Sequence, residues 1–342
     1  MLVRVSVLFV GATMRPPVIC FYEAFAEEAE ALRRHLPADV PARFTGQTIQ
    51  EAGDPEPPAP IVSMRTQSQI PDAWADRLDA IITRSTGYDH VVAYRRRVGH
   101  CLPAGYLPLY CHRAVAEQAA LLWLALLRTL PAQLRQFRRF GRDGLTGREC
   151  AGRILAVVGV GNIGHEVVRI GRGLDMTVRG VDVVERHADV SYVAADLAIP
   201  AADVIVCAMN LTDDNVGYFD YARLAGVRPG AVFINIARGK MSPPADLRRL
   251  LDERRLGGVG LDVYDQEQAL AVALRQGSTP APGDPAAESI RETLRLAEHP
   301  NVLATPHNAF NTVEAVDRKA RQTVETLVAF LRDGTIPFPV PD

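Results

Sequence analysis

Residues 153–183 read RILAVVGVGNIGHEVVRIGRGLDMTVRGVDV. A Val-rich strand, Ile154 to Val158, runs into Gly159, Gly161 and Gly164 at GxGxxG spacing. A helical pattern follows, and a second strand, Val178 to Asp182, ends on an acid. Strand, glycine turn and helix in that order predict a dinucleotide site. Gly159 permits the tight turn, Gly161 lets the backbone approach a pyrophosphate, and Gly164 lets the helix lie close on the strand, while the helix N-terminus attracts phosphate charge. Asn162 and Ile163 complete the loop. Asp182 stands about 20 residues further on, where a carboxylate accepts hydrogen bonds from the adenosine ribose hydroxyls and repels a 2′-phosphate. NAD is therefore favoured over NADP. Arg186, four residues later, could stack on adenine or meet a 2′-phosphate, which keeps NADP open as the lesser reading.

Outward from this loop, Val- and Ile-rich strands alternate with helical patterns, the signature of parallel sheets wound with helices. Downstream strands are expected at Val190 to Val193, Val204 to Ala208, Val232 to Ile236, Val259 to Val263 and Val302 to Thr305, enough for a complete doubly wound sheet. Upstream strands are expected at Val3 to Val10, Ile61 to Met64 and Ala80 to Thr83, with a helix over Tyr22 to Leu36. An apolar helix from Ala114 to about Leu130 and an Arg-studded stretch (Arg128, Arg135, Arg138, Arg139, Arg142) separate the two series. A chain of 342 residues is too long for one comfortable core. The fold class is α/β, with two doubly wound parallel-sheet domains. The last helical pattern, Val313 to Arg332, ends at Gly334 and returns the chain to the first domain.

Composition narrows the partners. A net charge of −2, with no basic block standing apart from acidic residues, lacks the footprint of a nucleic-acid binder. The Arg stretch reads as a solvated helix face or a subunit contact. Five cysteines, an odd number without a CxxC pair, point to neither a disulfide framework nor a zinc site, and fit a reducing compartment. The N-terminal MLVRVSVLFVGATM reads as a strand closed by Gly11, not as a signal peptide. The strongest apolar run, Ala119 to Leu127, falls far short of the roughly 20 residues that span a membrane. A cytoplasmic protein with a small-molecule partner is expected, with no metal, nucleic acid or membrane.

Three ionisable side chains then follow three successive strand ends. INIARGK sets Arg238 just past a strand, where open sheets bind ligands and a guanidinium can grip a carboxylate through two parallel hydrogen bonds. GLDVYDQE ends its strand at Asp262, with Glu267 five residues on, and VLATPHNAF puts His307 after the last strand. Singly, each has an ordinary packing explanation. Together they edge a bound dinucleotide.

With these motifs assembled, the chain resembles the D-isomer-specific 2-hydroxyacid dehydrogenase family from about Ile61 to Val316, nearest to its D-lactate dehydrogenase-like branch. The residues that carry the likeness are RSTGYDH (84–90), YCHRAVAEQA (110–119), VVGVGNIG (157–164), NLTDDN (210–215), NIARGK (235–240), GLDVYDQE (260–267) and TPHNAF (305–310). The resemblance implies a flavodoxin-like substrate domain of residues 1–112 and 308–342, a Rossmann NAD-binding domain of residues 113–307, and an active site in the cleft between them. It also implies a homodimer, with the helix Ala114 to Leu130 and its Arg-rich continuation as the candidate interface. The implied reaction is reversible hydride transfer between NADH and a small 2-keto acid, giving the D-2-hydroxy acid. Arg238 would hold the carboxylate and polarise the carbonyl, His307 would exchange the proton, and Glu267 would orient His307 and stabilise its imidazolium. Backbone amides of Thr86 and Gly87 match positions that meet the carboxylate, Tyr110 an aromatic pocket position, and Met64 lies near an N-terminal substrate loop. Asn210, Asn215, Ile236, Ala237 and Asp262 join the glycine loop and Asp182 on the cofactor side.

The chain departs from the pattern at several places. Cys111, His112 and Arg113 stand where the family commonly has a Ser-Pro-Asn-like run, His90 replaces a common Asn, and Asn210 takes a usual Pro position. The spacer between Glu267 and His307 is extended by GSTPAPGDPAAE. Tyr110, Phe310 and Met64 suggest a modest, partly apolar pocket for pyruvate-like or somewhat longer 2-keto acids. Glycerate or phosphoglycerate would want extra contacts, which Arg65 or Arg113 could offer, and an inorganic oxyacid also stays open. Formate dehydrogenase chemistry fits less well, because it places an amide where Glu267 stands. A non-catalytic NAD-sensing regulator of corepressor type is the alternative from another class.

Overall fold

The computed structural model describes residues 16–278, 283 and 286–341. The strand expected at Val3 to Val10 lies outside them. The chain divides into two compact units, one ending at Leu107 and taken up again at Ala320, the other running from Pro108 to Lys319. Tyr110 and the segment 308–319 thus fall in the second unit, where the sequence had suggested the first.

The first unit holds β1 (Ile19–Phe21), β2 (Ala42–Phe44), β3 (Ile61–Met64), β4 (Ala80–Thr83) and β5 (Ala104–Gly105) in the order β2-β1-β3-β4-β5, all parallel. Every residue of β3 and β4 is buried, which is why these strands read as unbroken apolar runs and not as alternation. β1 and β2, three residues each, are too short to give a periodic signal. The helix expected from Tyr22 starts only at Ala26, because Tyr22 extends the strand and Glu23 turns at φ +54°. Arg84, the residue after β4, is fully buried and joins three segments. Its Nε donates to Glu28 Oε1 (2.8 Å), Nη1 to Ser63 Oγ (3.1 Å) and Nη2 to the Tyr22 carbonyl (2.6 Å). Thr86 and Gly87 lie just beyond it, at the carboxyl end of β4. The C-terminal segment closes this sheet, with Val340 N donating to Ala104 O at 2.8 Å.

The second unit holds β6 (Ile154–Val158), β7 (Thr177–Val181), β8 (Val204–Cys207), β9 (Ala231–Asn235), β10 (Leu256–Leu261) and β11 (Val302–Ala304), again all parallel, in the order β11-β10-β9-β8-β6-β7. The strand expected at Val190 to Val193 shrinks to a single parallel bridge, Gly180 to Tyr192, held by Gly180 N to Ser191 O and Val193 N to Gly180 O. Chain order reverses between β6 and β8, and open sheets take their ligands in the crevice outside such a reversal. The apolar helix runs His112–Leu127, with nine buried side chains that explain its composition without a membrane. No helix among the described residues is long and apolar enough to cross one.

Candidate active site

The glycine loop leaves β6 at the reversal point. Gly159 adopts φ +91°, and a Cβ there would lie 2.5 Å from Met209 N. A Cβ on Gly164 would lie 1.9 Å from Gly159 O. Packing within the protein therefore demands both glycines. Gly161 differs, since a Cβ added there would meet nothing within 4 Å. That open space lies at the N-terminus of the helix Asn162–Gly173, where backbone amides face outward, and it suits a pyrophosphate. Asp182 follows β7 and steadies the loop from below: Oδ2 accepts from Val160 N at 2.6 Å and Oδ1 from Val184 N at 3.1 Å. Each carboxylate oxygen keeps a further lone pair for a ribose hydroxyl. The residues present fit NAD, whose nicotinamide carries the hydride of the reaction.

A pair of variants separates the two glycine roles. Gly164→Ala is expected to lower the melting temperature through overpacking worth about 1–3 kcal/mol. Gly161→Ala should leave melting nearly unchanged and weaken NAD binding about tenfold or more by obstructing the pyrophosphate. Calorimetric titration with NAD beside a thermal melt checks both, and unaltered NAD affinity in Gly161→Ala would contradict the loop assignment.

Other cofactor-side residues divide into builders and walls. Asn215 Nδ2 donates to Asn210 O (2.8 Å) and its Oδ1 accepts from Thr212 N (2.9 Å), so its side chain shapes the loop after β8. Ile236 and Ala237 continue β9 and are buried. Asp262 was expected at the cofactor; the structure has it holding the histidine loop. It is 1% exposed, its Oδ1 accepts from Asn308 N (2.8 Å) and Thr305 Oγ1 (2.5 Å), and its Oδ2 accepts from Ala309 N (2.9 Å). Burial pushes its carboxyl above the ordinary range, and those hydrogen bonds offset the shift only in part.

Arg238 sits on a turn built by fully buried Asn235. The amide of Asn235 accepts from Ala237 N (3.0 Å) and donates to Arg238 O (3.0 Å) and Ser242 Oγ (2.8 Å). Gly239 presses this turn against the backbone of Tyr264 and Asp265, where a Cβ would lie 1.8 Å from Tyr264 C. The arginine turn and the segment leading to Glu267 are thus locked together. Tyr264 ties the same segment to the histidine loop, its hydroxyl donating to Thr305 O at 2.7 Å. Neither Asn235 nor Tyr264 stood out in the sequence, because their partners are the backbones of other loops.

His307 and Glu267, 40 residues apart, meet with Nδ1 2.6 Å from Oε1, and each side chain keeps a fifth of its surface exposed. His307 stands at φ +50°, an uncommon conformation for a residue other than glycine, fixed by the bonds of Asp262 to the two residues after it. Burial pushes the Glu267 carboxyl up. The charge and hydrogen bond of His307, the Arg238 guanidinium and the Tyr264 amide more than reverse this, so it titrates below the ordinary glutamate range. A depressed carboxyl contributes stability that is present above its unfolded value of about 4.3 and is lost as pH falls through the folded one. At neutral pH Glu267 is therefore anionic, and the hydrogen bond assigns the proton to Nδ1 of His307. Nε2 is the ring nitrogen that this contact leaves over. Glu267→Gln keeps a partner for the ring and removes the charge beside it. Keto acid reduction is expected to fall by about tenfold or more in kcat/KM. An unchanged kcat/KM would contradict this coupling.

Tyr110 and Phe310 meet edge to face with centroids 6.3 Å apart. Arg113 does not stand free: it pairs with Glu117 (2.6 Å) and Glu166 (3.3 Å). Thr86 and Gly87 are half-buried, with Thr86 Oγ1 donating to Leu107 O (3.2 Å) and Ser85 Oγ to Gly87 O (2.6 Å). Met64, expected to touch substrate, is instead 1% exposed within the core of the first unit beside Val62 and Ile81. A fully buried β-strand leaves its side chain no open face.

A sheet that cradles a dinucleotide beside an imidazole oriented by a carboxylate defines, as a class, an NAD-dependent oxidoreductase acting on CH–OH donors. Residues 120–309 match the family described as D-isomer specific 2-hydroxyacid dehydrogenase, NAD binding domain. The chain is 27% identical over 322 residues to 2-hydroxyacid dehydrogenase A of Aspergillus oryzae, covering 89% of this chain and 88% of that one. It is 31% identical over 237 residues to an aromatic 2-oxoacid reductase of Clostridium sporogenes (67% and 69%). It also resembles the crystal structure of D-lactate dehydrogenase from Aquifex aeolicus complexed with NAD and lactic acid, at TM-score 0.78, 25% identity and coverage of 92% and 96%. The chain belongs to the D-isomer-specific 2-hydroxyacid dehydrogenase family, and NAD is its cofactor.

Proposed function

We propose that the protein interconverts a small 2-keto acid and its D-2-hydroxy acid through Arg238, Glu267 and His307. The observation that carries this reading is the 2.6 Å contact between His307 Nδ1 and Glu267 Oε1, which leaves Nε2 to act on the substrate oxygen. In reduction, Arg238 binds the substrate carboxylate and polarises the carbonyl, protonated His307 gives its Nε2 proton to the carbonyl oxygen, and Glu267 stabilises the imidazolium beforehand. In oxidation the neutral imidazole takes the hydroxyl proton back. Asp182 and the glycine loop hold the dinucleotide. The first unit serves as substrate domain, with the amides of Thr86 and Gly87 meeting the carboxylate, on the strength of the RSTGYDH resemblance. The lactic acid named with the Aquifex aeolicus structure supports a small 2-hydroxy acid.

A homodimer is part of the same reading. Leu134, Phe137 and Phe140 are 67%, 74% and 76% exposed on the segment after the apolar helix, among exposed arginines, an apolar patch that suits a second copy. Sedimentation as a monomer at micromolar concentration would contradict it. Cytoplasmic residence is supported by five cysteines, none of them in a disulfide. The decisive assay follows NADH and NADPH oxidation against a panel of 2-keto acids. Turnover with NADH is the expected result. Tight NAD binding with no turnover of any 2-keto acid would overturn the catalytic reading.

A further inference from the structure

His165 stands in the first turn of the helix Asn162–Gly173, its amide donating to the Gly161 carbonyl at 2.9 Å. His187 and Asp189 lie past β7 on one tight turn, closed by Val190 N donating to His187 O at 3.0 Å and pinned by His187 N donating to the Tyr192 hydroxyl at 3.2 Å. The two imidazoles stack face to face, with centroids 4.0 Å apart and planes 1° from parallel. His165 Nε2 stands 3.1 Å from Asp189 Oδ1, and one ligand atom from each of the three side chains falls within 4.8 Å of the others. Segments 24 residues apart thus bring two imidazoles and a carboxylate together. The group is open to solvent, with 25% of the His165 side chain and 54% of that of Asp189 exposed and His187 half-buried. Arg172 takes the other carboxylate oxygen, Nη1 to Oδ2 at 2.9 Å, and also donates to the Asp189 carbonyl, which fastens the turn to the same helix.

We propose that His165, His187 and Asp189 bind a divalent transition ion of the zinc type, and that this ion strengthens the binding of NAD. Imidazole nitrogens with one carboxylate oxygen suit Zn²⁺, Co²⁺ or Ni²⁺, whereas Mg²⁺ and Ca²⁺ take oxygen ligands. Around a four-coordinate ion with bonds of about 2.1 Å the ligand atoms stand about 3.4 Å apart, so the widest gap here closes by about 1.4 Å. The rings splay from parallel as it closes, because their lone pairs lie in the ring planes and must converge. The ion takes the place of the hydrogen bond between His165 and Asp189. Arg172 keeps Oδ2, as an outer partner that orients a ligating carboxylate. Water completes the coordination, as it does in other three-ligand zinc sites. No cysteine takes part, so cysteine spacing gives no sign of the set. The ion joins two segments of the cofactor side: the helix whose N-terminus suits the pyrophosphate, and the loop that starts at Asp182. Ordering both before NAD arrives removes part of the cost of binding, and by linkage NAD tightens the metal by the same factor.

The test is calorimetric titration of Zn²⁺ into metal-stripped protein, beside His165→Gln and His187→Gln, with thermal melts of all three. Zinc is expected to bind the wild type, Mg²⁺ to give no response, and each variant to lose about tenfold or more in zinc affinity. Co²⁺ is the second probe, since nitrogen and oxygen ligands give visible bands without the strong near-ultraviolet charge-transfer band of a thiolate. NAD titrated with and without zinc is expected to bind about fivefold more tightly to the zinc-loaded wild type, with no such gain in the variants. Should a histidine variant melt early, Asp189→Asn supplies the comparison. Absence of zinc binding, zinc binding that the variants retain in full, or a cobalt spectrum with the thiolate band overturns the site. NAD affinity that zinc leaves unchanged or lowers overturns the coupling.

Discussion

Replacing His307 with glutamine is expected to slow the reduction of a 2-keto acid by about 10²- to 10⁴-fold, the usual contribution of a positioned general acid. Glutamine can still form a hydrogen bond with Glu267, but it has no proton to surrender at neutral pH. The loss should fall in kcat more than in KM, because the proton moves only in the transition state. NAD affinity should hold, since the glycine loop and Asp182 are built without this side chain. Steady-state kinetics beside NAD titration decide the point. A variant that keeps its rate within about threefold would remove His307 from the chemistry.

Arg238→Gln is expected to reduce kcat/KM by about 10²- to 10³-fold, with a higher KM as well as a lower kcat. A guanidinium can grip a carboxylate through two charged hydrogen bonds, and a glutamine offers one neutral donor group of different shape. Arg238 also helps to keep Glu267 ionised, so the variant has a second signature. Without that charge the Glu267 carboxyl titrates higher, and activity should fail at a higher pH on the acid side. Arg238→Lys should recover the acid limb and only part of the KM, because it restores charge without the planar fork. An unchanged KM for the keto acid would show that the carboxylate is held elsewhere.

The dinucleotide loop was legible because its constraints are local. Strand, turn and helix are contiguous, and two of the three glycines answer to contacts within that segment or beside it. The candidate catalytic residues were legible in position, each just past a strand, though their mutual geometry was not. Glu267 reaches His307 because β9, β10 and β11 are neighbours in one parallel sheet, an order that no residue states by itself. Asp262 shows the limit from the other side. An acid at a strand end in this family pattern reads as a cofactor contact, yet here three hydrogen bonds commit it to the loop that holds His307. Met64 differs from expectation for a related reason: proximity in sequence to a substrate loop says nothing about which way a buried strand turns its side chains.

By itself the sequence determined the α/β class, the NAD preference and the places of Arg238, Glu267 and His307 just past three strand ends. Each depends on residue type at short spacing: a period in hydrophobicity, a glycine where a Cβ would collide, an acid at the end of the second strand. Tertiary structure alone decided what those residues have for partners. It made Asn235, Asp262 and Tyr264 the supports of the site, reduced one expected strand to a single bridge, and packed Lys319 against Phe310 and Tyr110. Such contacts join segments tens of residues apart, and they exist only once the sheet has fixed which strand ends are neighbours.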